Sequence, residues 1–375
     1  MSPRLMGAEN RLAALPPAED GPLYDYRGAV HIHSAHSHDG RRTVAEIATA
    51  ARKCGLDFVL LTDHFNLKAK AEGEDGWRDK VLVVTGEEIS PRYNHLLVFG
   101  INEPLLPQAG EPVQALIDRV RAAGGICFIA HPDHKGARFF GVQSYRWTDW
   151  SVNGFAGLSV WDTMTDWQNR LRSIVRSLVA YASPALALRG PEPETLARWD
   201  ALGQERPVAG FGEMDNHEFH RRLFGLNFKI FSFETAFRLV LTHVLLERPF
   251  LGRAAPDEAA LLRALAAGRA YVCLEALGDG RGFQFWANVG GRRVHMGEEA
   301  VLGEKTPAAK ILAKTPQDCR LTLLRDGRPQ AEVCWGRELC HKDAAAGVWR
   351  LECRRRKWGK WRPWIYSNPL YLRHA

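Results

Sequence analysis

Residues 28–64 read GAVHIHSAHSHDGRRTVAEIATAARKCGLDFVLLTDH. Two short apolar runs, 28–33 and 56–62, flank a stretch in which Thr43 stands where a helix N-cap belongs and Gly55 where a helix ends. The segment predicts strand, helix, strand, with polar residues collecting where each strand stops. His31 and His33 close the first strand, and Asp63 and His64 the second. Side chains two apart on a strand share a face, so the two imidazoles converge. Convergent imidazoles suit a metal ion and do not suit an apolar core.

Working outward, the unit recurs. A strand over 81–85 ends at Gly86-Glu87-Glu88, and another over 95–100 begins at His95. A helix over 112–123 is closed by Gly124-Gly125, and a strand over 126–130 ends at His131. A strand over 157–161 is followed by a long helix over 166–182 and a second helix from Pro191 to Leu202. A strand over 207–211 leads to Asp215 and His217, and the apolar run 239–246 reads as a buried helix. Alternating strands and helices predict an α/β barrel-like fold, whose chemistry lies at the C-terminal strand ends. After residue 255 the pattern changes. A connecting helix over 256–268 precedes short alternating segments at 270–274, 282–289, 308–313, 320–324, 330–335 and 347–353, with Asp326-Gly327 as a hairpin turn. These predict a small all-β, sandwich-like domain. The expected layout is a leader over 1–26, a barrel over 27–255, and a helix plus β domain over 256–375.

A chain of 375 residues with 46% hydrophobic and 25% charged residues is globular and long enough for two domains. The net charge of +7 invites a nucleic-acid partner. However, much of it sits in Arg354, Arg355, Arg356, Lys357, Lys360 and Arg362, where alternation with Trp358 and Trp361 reads as a half-buried strand with tryptophan inward. That argues against nucleic acid. Nothing reads as a signal peptide or reaches the ~20 apolar residues of a membrane span, so no membrane partner is expected. Seven widely spaced cysteines without a CxxC pair point to a reducing, cytoplasmic setting. Self-association into a homo-oligomer is compatible with all of this.

The donors arrive one strand end at a time: His31, His33, Asp39, Asp63, His64, Glu88, His95, His131, Asp215 and His217. Each has an ordinary explanation, such as a surface pair, a capping Asp or a turn. Their joint placement is the specific signal. Imidazoles with carboxylates suit two or three divalent ions (Zn, Mn or Fe), and a carboxylate such as Glu88 can bridge two of them.

The order H-x-H, D-G, helix, G-L-D-F-x-x-x-T-D-H, then G-x-E, a lone His, A-H-P and D-x-H resembles the PHP (polymerase and histidinol phosphatase) metal-dependent hydrolases over about residues 27–250. The resemblance implies a distorted (β/α)7 barrel with a di- or trinuclear site. His31, His33, Glu88 and Asp215 would surround one metal. Glu88 would bridge to a second held by His95 and His131, and Asp39, His64 and His217 would hold a third. Glu88 is preferred to Glu87 because the family spacing is Gly, any residue, Glu. His38 stands where the family has Ser, and Asp39 where several members have His. His36 and His38 add imidazoles that read as surface loop residues. The ending PWIYSNPLY at 363–371 resembles the CehA/McbA branch.

The implied activity is hydrolysis by a metal-bound hydroxide, with Asp63, Glu88 and Asp215 as catalytic carboxylates. Asp63 would either steady a neighbouring ligand or shuttle protons. The small-molecule substrate is a phosphate ester if Lys135 and Arg138, or Arg221 and Arg222, clamp it. It is a carbamate, ester or amide if the aromatic loop of Phe139, Phe140, Tyr145, Trp147 and Trp150 lines an apolar pocket. A catalytically silent metal-binding module is the third reading.

Overall fold

The computed structural model describes residues 21, 23–137, 141–223, 225–303 and 309–375. The helix α1 (Val44–Lys53) joins β1 (Tyr24–Ile32) to β2 (Phe58–His64). Its cap is reciprocal. The Thr43 hydroxyl accepts the Glu46 N–H, and the Glu46 carboxylate accepts the Thr43 N–H at 3.0 Å. Val44, Ile47, Ala48 and Ala51 form its buried stripe. Then follow α2 (Lys68–Ala71), β3 (Gly76–Arg78), β4 (Val81–Ile89), β5 (Leu96–Phe99), α3 (Val113–Ala122) and β6 (Ile126–Ile129). Next come β7 (Gly157–Asp162), α4 (Thr163–Gln168), α5 (Ile174–Ala182), α6 (Pro184–Ala187), α7 (Pro193–Glu205) and β8 (Ala209–Glu213). The hairpin β9 (His220–Leu223) and β10 (Leu226–Lys229) stands apart from the main sheet. After it lie α8 (Phe233–Ala236), β11 (Val240–Leu246), α9 (Ala254–Ala266) and β12 (Ala270–Leu274).

The strands form a ring. β1, β2 and β4 pair in parallel, β5 runs antiparallel between β4 and β6, and β6, β7 and β8 are again parallel. The chain leaving β8 returns to β1. Met214 N–H donates to Val30 O at 3.0 Å, Asn216 N–H to His31 O at 3.3 Å, and His33 N–H to Asn216 O at 3.1 Å. Parallel register gathers the strand ends on one rim, so His64 lies directly beside Glu88. Both faces of the ring strands are buried. Phe58, Leu60, Val84, Phe128 and Phe211 pack with Leu261 and Leu265 of α9, while Val59, Leu61 and Val83 pack with Ile47 and Ile117. Strands buried on both sides read as unbroken apolar runs.

That property explains one correction. The run 239–246, expected to be a helix, contains β11, which pairs antiparallel with β1 and β12. A short apolar run carries no period, and the branched Val240, Thr242 and Val244 favour the strand. The long helix expected over 166–182 is two helices. Asp162 caps α4, and Ser173 starts α5 afresh by accepting the Arg176 N–H.

The remaining strands are β13 (Gln284–Val289), β14 (Arg292–His295), β15 (Glu299–Leu302), β16 (Ala309–Arg325), β17 (Arg328–Ala344), β18 (Gly347–Lys357), β19 (Lys360–Ser367) and β20 (Leu370–His374). The segments 308–313 and 320–324, read as separate, belong to β16, whose pairing with β17 is irregular between Lys314 and Cys319; Ala308 lies outside the described residues. Asp326 and Gly327 turn the chain with φ of 52° and 74°, as a type I′ hairpin requires. The region is strand-rich as expected, but its strands continue the ring's own sheet through β12 and β19 instead of forming a detached sandwich. Asn368 fastens it to the start of β8. It accepts the Gly210 N–H at 2.7 Å and donates to Gly210 O at 2.7 Å and Ala270 O at 2.9 Å. The Tyr371 hydroxyl accepts the Val208 N–H at 2.9 Å. The basic stretch near 354–362 departs from the tryptophan-inward expectation. Trp358 is exposed and Arg362 is buried, because its guanidinium donates to Leu186 O at 3.0 Å and Leu188 O at 3.3 Å. Among the described residues no helix is long and apolar enough to cross a membrane.

Candidate metal centre

Ring closure creates the site. His31 lies in the left-handed region at φ 67°, where β1 is irregular against β2, and His131 and Asp215 also have positive φ, 23° and 48°. Side chains other than glycine hold such backbone only where the surroundings impose it, and they concentrate at functional sites. Here they turn side chains from three different strand ends into one volume.

Three overlapping donor sets result, each with ligand atoms within 4.8 Å of one another: His31, His33, Glu88 and Asp215; Glu88, His95 and His131; and His33, Asp39, His64 and His217. Glu88 joins the first two. Its Oε2 lies 3.2 Å from His31 Nε2 and 3.4 Å from His33 Nε2, and its Oε1 lies 2.7 Å from His95 Nδ1 and 3.3 Å from His131 Nε2. Asp215 Oδ1 stands 3.5 Å from both His31 Nε2 and His33 Nε2. In the third set, Asp39 Oδ2 is 3.2 Å from His64 Nε2 and from His217 Nε2. Gly40 makes that loop feasible, since a Cβ there would sit 1.9 Å from Ser34 O.

The donor atoms behave as a cation site would require. His31 Nε2, His33 Nε2, His95 Nε2 and His131 Nδ1 are buried without a hydrogen-bond partner. Buried polar atoms are normally satisfied, so a cluster of orphaned imidazole nitrogens fits metal ions. Electrostatics agrees. Burial would raise the Glu88 carboxyl, yet His31 and His95 hold it well below the usual range. Asp215 is likewise held low against its burial, chiefly by His31 and His33. His131, despite burial, is pushed up to about 9 by its hydrogen bond to Glu88, and His33 is driven down to about 3 by burial and His217. Imidazolium protons and divalent ions are thus alternative ways of offsetting the buried Glu88 and Asp215 carboxylates.

Neighbouring groups orient the donors. The Glu213 carboxylate, fully buried, accepts the His131 N–H at 2.5 Å and faces His31 Nδ1 at 2.9 Å. Ser90 Oγ is 2.8 Å from His64 Nδ1. Asp63 accepts both the N–H and the hydroxyl of Ser34 at 2.6 Å, so its carboxylate steadies the loop after His33 and does not face the mouth. Glu87 points away, accepting the Leu105 N–H at 2.8 Å, and burial raises it to about 7. Strand alternation therefore leaves Glu88 alone in the cluster. His36 pairs with Glu74 at 2.6 Å, away from the donors, whereas His38, 76% exposed, holds its ring 5.0 Å from His64 at the mouth.

The expected substrate contacts are only partly present. Lys135 is tied to Glu192 at 2.9 Å, and Arg222 is exposed. Arg138, Phe139 and Phe140 lie outside the described residues, as does the Arg221 side chain. Tyr145 sets its ring 5.2 Å from His95, while Trp147 is buried and Trp150 packs under Arg198. Phe219 stacks on His217 at 4.7 Å and 18°. Glu213, Ser90 and Phe219 escaped sequence reasoning. Glu213 carried a usable signal, a carboxylate at the end of β8 two residues before Asp215.

No protein-family model and no characterised protein sequence matches the chain. Among solved structures, one from Bifidobacterium adolescentis, described as a metal-dependent phosphoesterase, aligns with 54% of this chain and 92% of its own at 16% identity and a TM-score of 0.33. An amidohydrolase from Chromobacterium violaceum, with bound sulfate and no metal, aligns with 51% of this chain and 87% of its own at 15% identity and a TM-score of 0.29. The assignment of the site rests on its own geometry.

Proposed function

We propose that the chain is a metal-dependent hydrolase of the PHP type, acting on a small phosphate ester. The observation that carries this is the set of three abutting donor groups joined through Glu88 and His33, with imidazole nitrogens left unsatisfied. Bound divalent ions would supply a nucleophile at neutral pH and neutralise charge developing on the substrate. The donor set favours an anionic substrate, because six neutral imidazoles and the carboxylates Glu88, Asp39 and Asp215 leave a di- or trinuclear centre net positive.

The chain's own residues divide the remaining work. Asp215 and Asp39, with side chains 17% and 23% exposed beside the fully buried His31 and His33, are the donor carboxylates nearest the mouth. Glu88, 1% exposed, holds the sets together. Glu213 and Ser90 fix imidazole orientation, and Asp63 fixes the loop after His33. A second reading, an ester or carbamate hydrolase of the CehA/McbA type, is favoured by the rings of Tyr145 and Phe219 against His95 and His217 and by the commitment of Lys135 to Glu192. Protein reconstituted with Mn, Zn or Fe decides between them. Turnover of a nitrophenyl phosphate, abolished in His33→Ala, supports the phosphoesterase. Turnover of only a nitrophenyl carboxylic or carbamate ester supports the second reading, and no bound metal after reconstitution overturns both.

A further inference from the structure

The short helix α5 has an inverted surface. Ile174, Val175, Leu178 and Val179 are all more than half exposed, Val175 at 71%, and Tyr181 stands beside them. Only Ala180 of this helix is buried. At 100° per residue, Ile174, Val175, Leu178 and Val179 fall on one continuous arc opposite Ala180, so this apolar face points away from the protein. Soluble surfaces scatter single apolar residues, whereas a contiguous patch marks something that covers it.

The charges around the patch say what that is. Arg172, Arg176 and Arg189 are exposed, and no Asp or Glu occurs between Asp166 and Glu192. Arg176, also exposed, lies about 60° beyond Val179, on the flank of the helix between the apolar arc and Ala180. An apolar stripe edged by arginine is the pattern of a helix lying in the headgroup region of a membrane, where the guanidinium reaches phosphates while the stripe enters the acyl boundary. A second copy fits less well. A nine-residue helix is about 13 Å long and about 10 Å wide, a contact well below the ~800 Å² per partner of a stable dimer.

We propose that α5 docks the protein on an anionic lipid surface. α4 and α5 leave the ring at the C-terminal end of β7, the rim that carries the donor sets, and the α4 residue Trp167 packs on Phe231 beyond the β9–β10 hairpin. Docking would therefore hold the mouth of the site towards the bilayer.

Vesicle co-sedimentation tests this with phosphatidylcholine alone and with phosphatidylcholine containing phosphatidylglycerol. The wild-type protein is expected to pellet with the anionic vesicles only, and less so as salt rises. Arg172→Gln with Arg176→Gln should weaken partitioning about thirtyfold, from roughly a factor of five per lost surface charge. Val175→Asp with Leu178→Asp should abolish it. All four side chains are exposed, so the circular dichroism and metal content of the variants should match wild type. Absence of binding to anionic vesicles, or binding undiminished by the aspartates, would overturn the proposal. Sedimentation equilibrium showing a dimer that the aspartates dissociate would overturn it in favour of a second copy.

Discussion

Replacing Glu213 by Gln tests whether the donor sets are held by what lies behind them. The Glu213 carboxylate meets two groups, the backbone N–H of His131 at 2.5 Å and Nδ1 of His31 at 2.9 Å. If His31 offers Nε2 to a metal, its Nδ1 carries the proton, so both partners are donors and the carboxylate accepts twice. Gln has nearly the same shape but only one accepting oxygen, and its NH2 must confront one of the donors. With the position fully buried, no water can relieve that conflict. One unmatched buried donor costs about 1–3 kcal/mol of stability. The misoriented His31 should lower metal affinity about ten- to a hundredfold. Chelator competition would measure the affinity and denaturant titration the stability, with Glu213→Asp as a control that keeps both acceptors but shortens the reach. Wild-type metal affinity in Glu213→Gln would refute the orienting role, and lost stability with unchanged affinity would reduce Glu213 to a structural residue.

Stripped of metal, the protein should lose stability as pH rises from about 6.5 to about 9. His131, raised to about 9 by its bond to Glu88, stabilises the fold while protonated and loses that contribution as it deprotonates, and His31 acts in the same direction. The depressed Glu88 and Asp215 do not titrate in this window, so metal-loaded protein should show a shallower thermal-melting profile, keeping only the loss that comes from His243, which Asp25 and Glu275 raise to about 9 away from the donor sets. Gly40→Ala should drive a methyl group into Ser34 O and displace Asp39. Elemental analysis should then show loss of the metal held by Asp39, His64 and His217 with the other sets still loaded; full occupancy would sink the idea. Asn368→Ala removes three buried hydrogen bonds and leaves Gly210 unpaired, so it should destabilise by about 2–4 kcal/mol in urea while leaving metal affinity per folded molecule unchanged.

The donors were legible because a polar residue at the end of an apolar run has few reasons to be there. His31, His33, His64, Glu88, His95, His131, Asp215 and His217 announce themselves in that way, and the structure brings them together with Asp39. Alternation alone did not foresee how His31 gets there, since its positive φ is imposed by the return of residues 214–216 along β1. Glu213 stayed hidden because its role depends on a contact across the ring with His31, 182 positions away. β11 was misread because a strand buried on both faces has lost the period that identifies strands. β16 looked like two strands because the irregularity at 314–319 interrupts its alternation.

The clasp between Asn368 and Gly210 bears on how the chain is made. During synthesis Gly210 leaves the ribosome 158 residues ahead of the side chain that satisfies both its N–H and its C=O, and Val208 precedes Tyr371 by 163. Until then the base of β8 lacks its partners, and β8 is the strand from which Asp215 and His217 extend. Contacts so distant in sequence form late, after a large loss of chain entropy. The base of β8 should therefore be completed last, once residues 368–371 are free to fold, while the donor rim of the same strand can close earlier through residues 214–216 on β1.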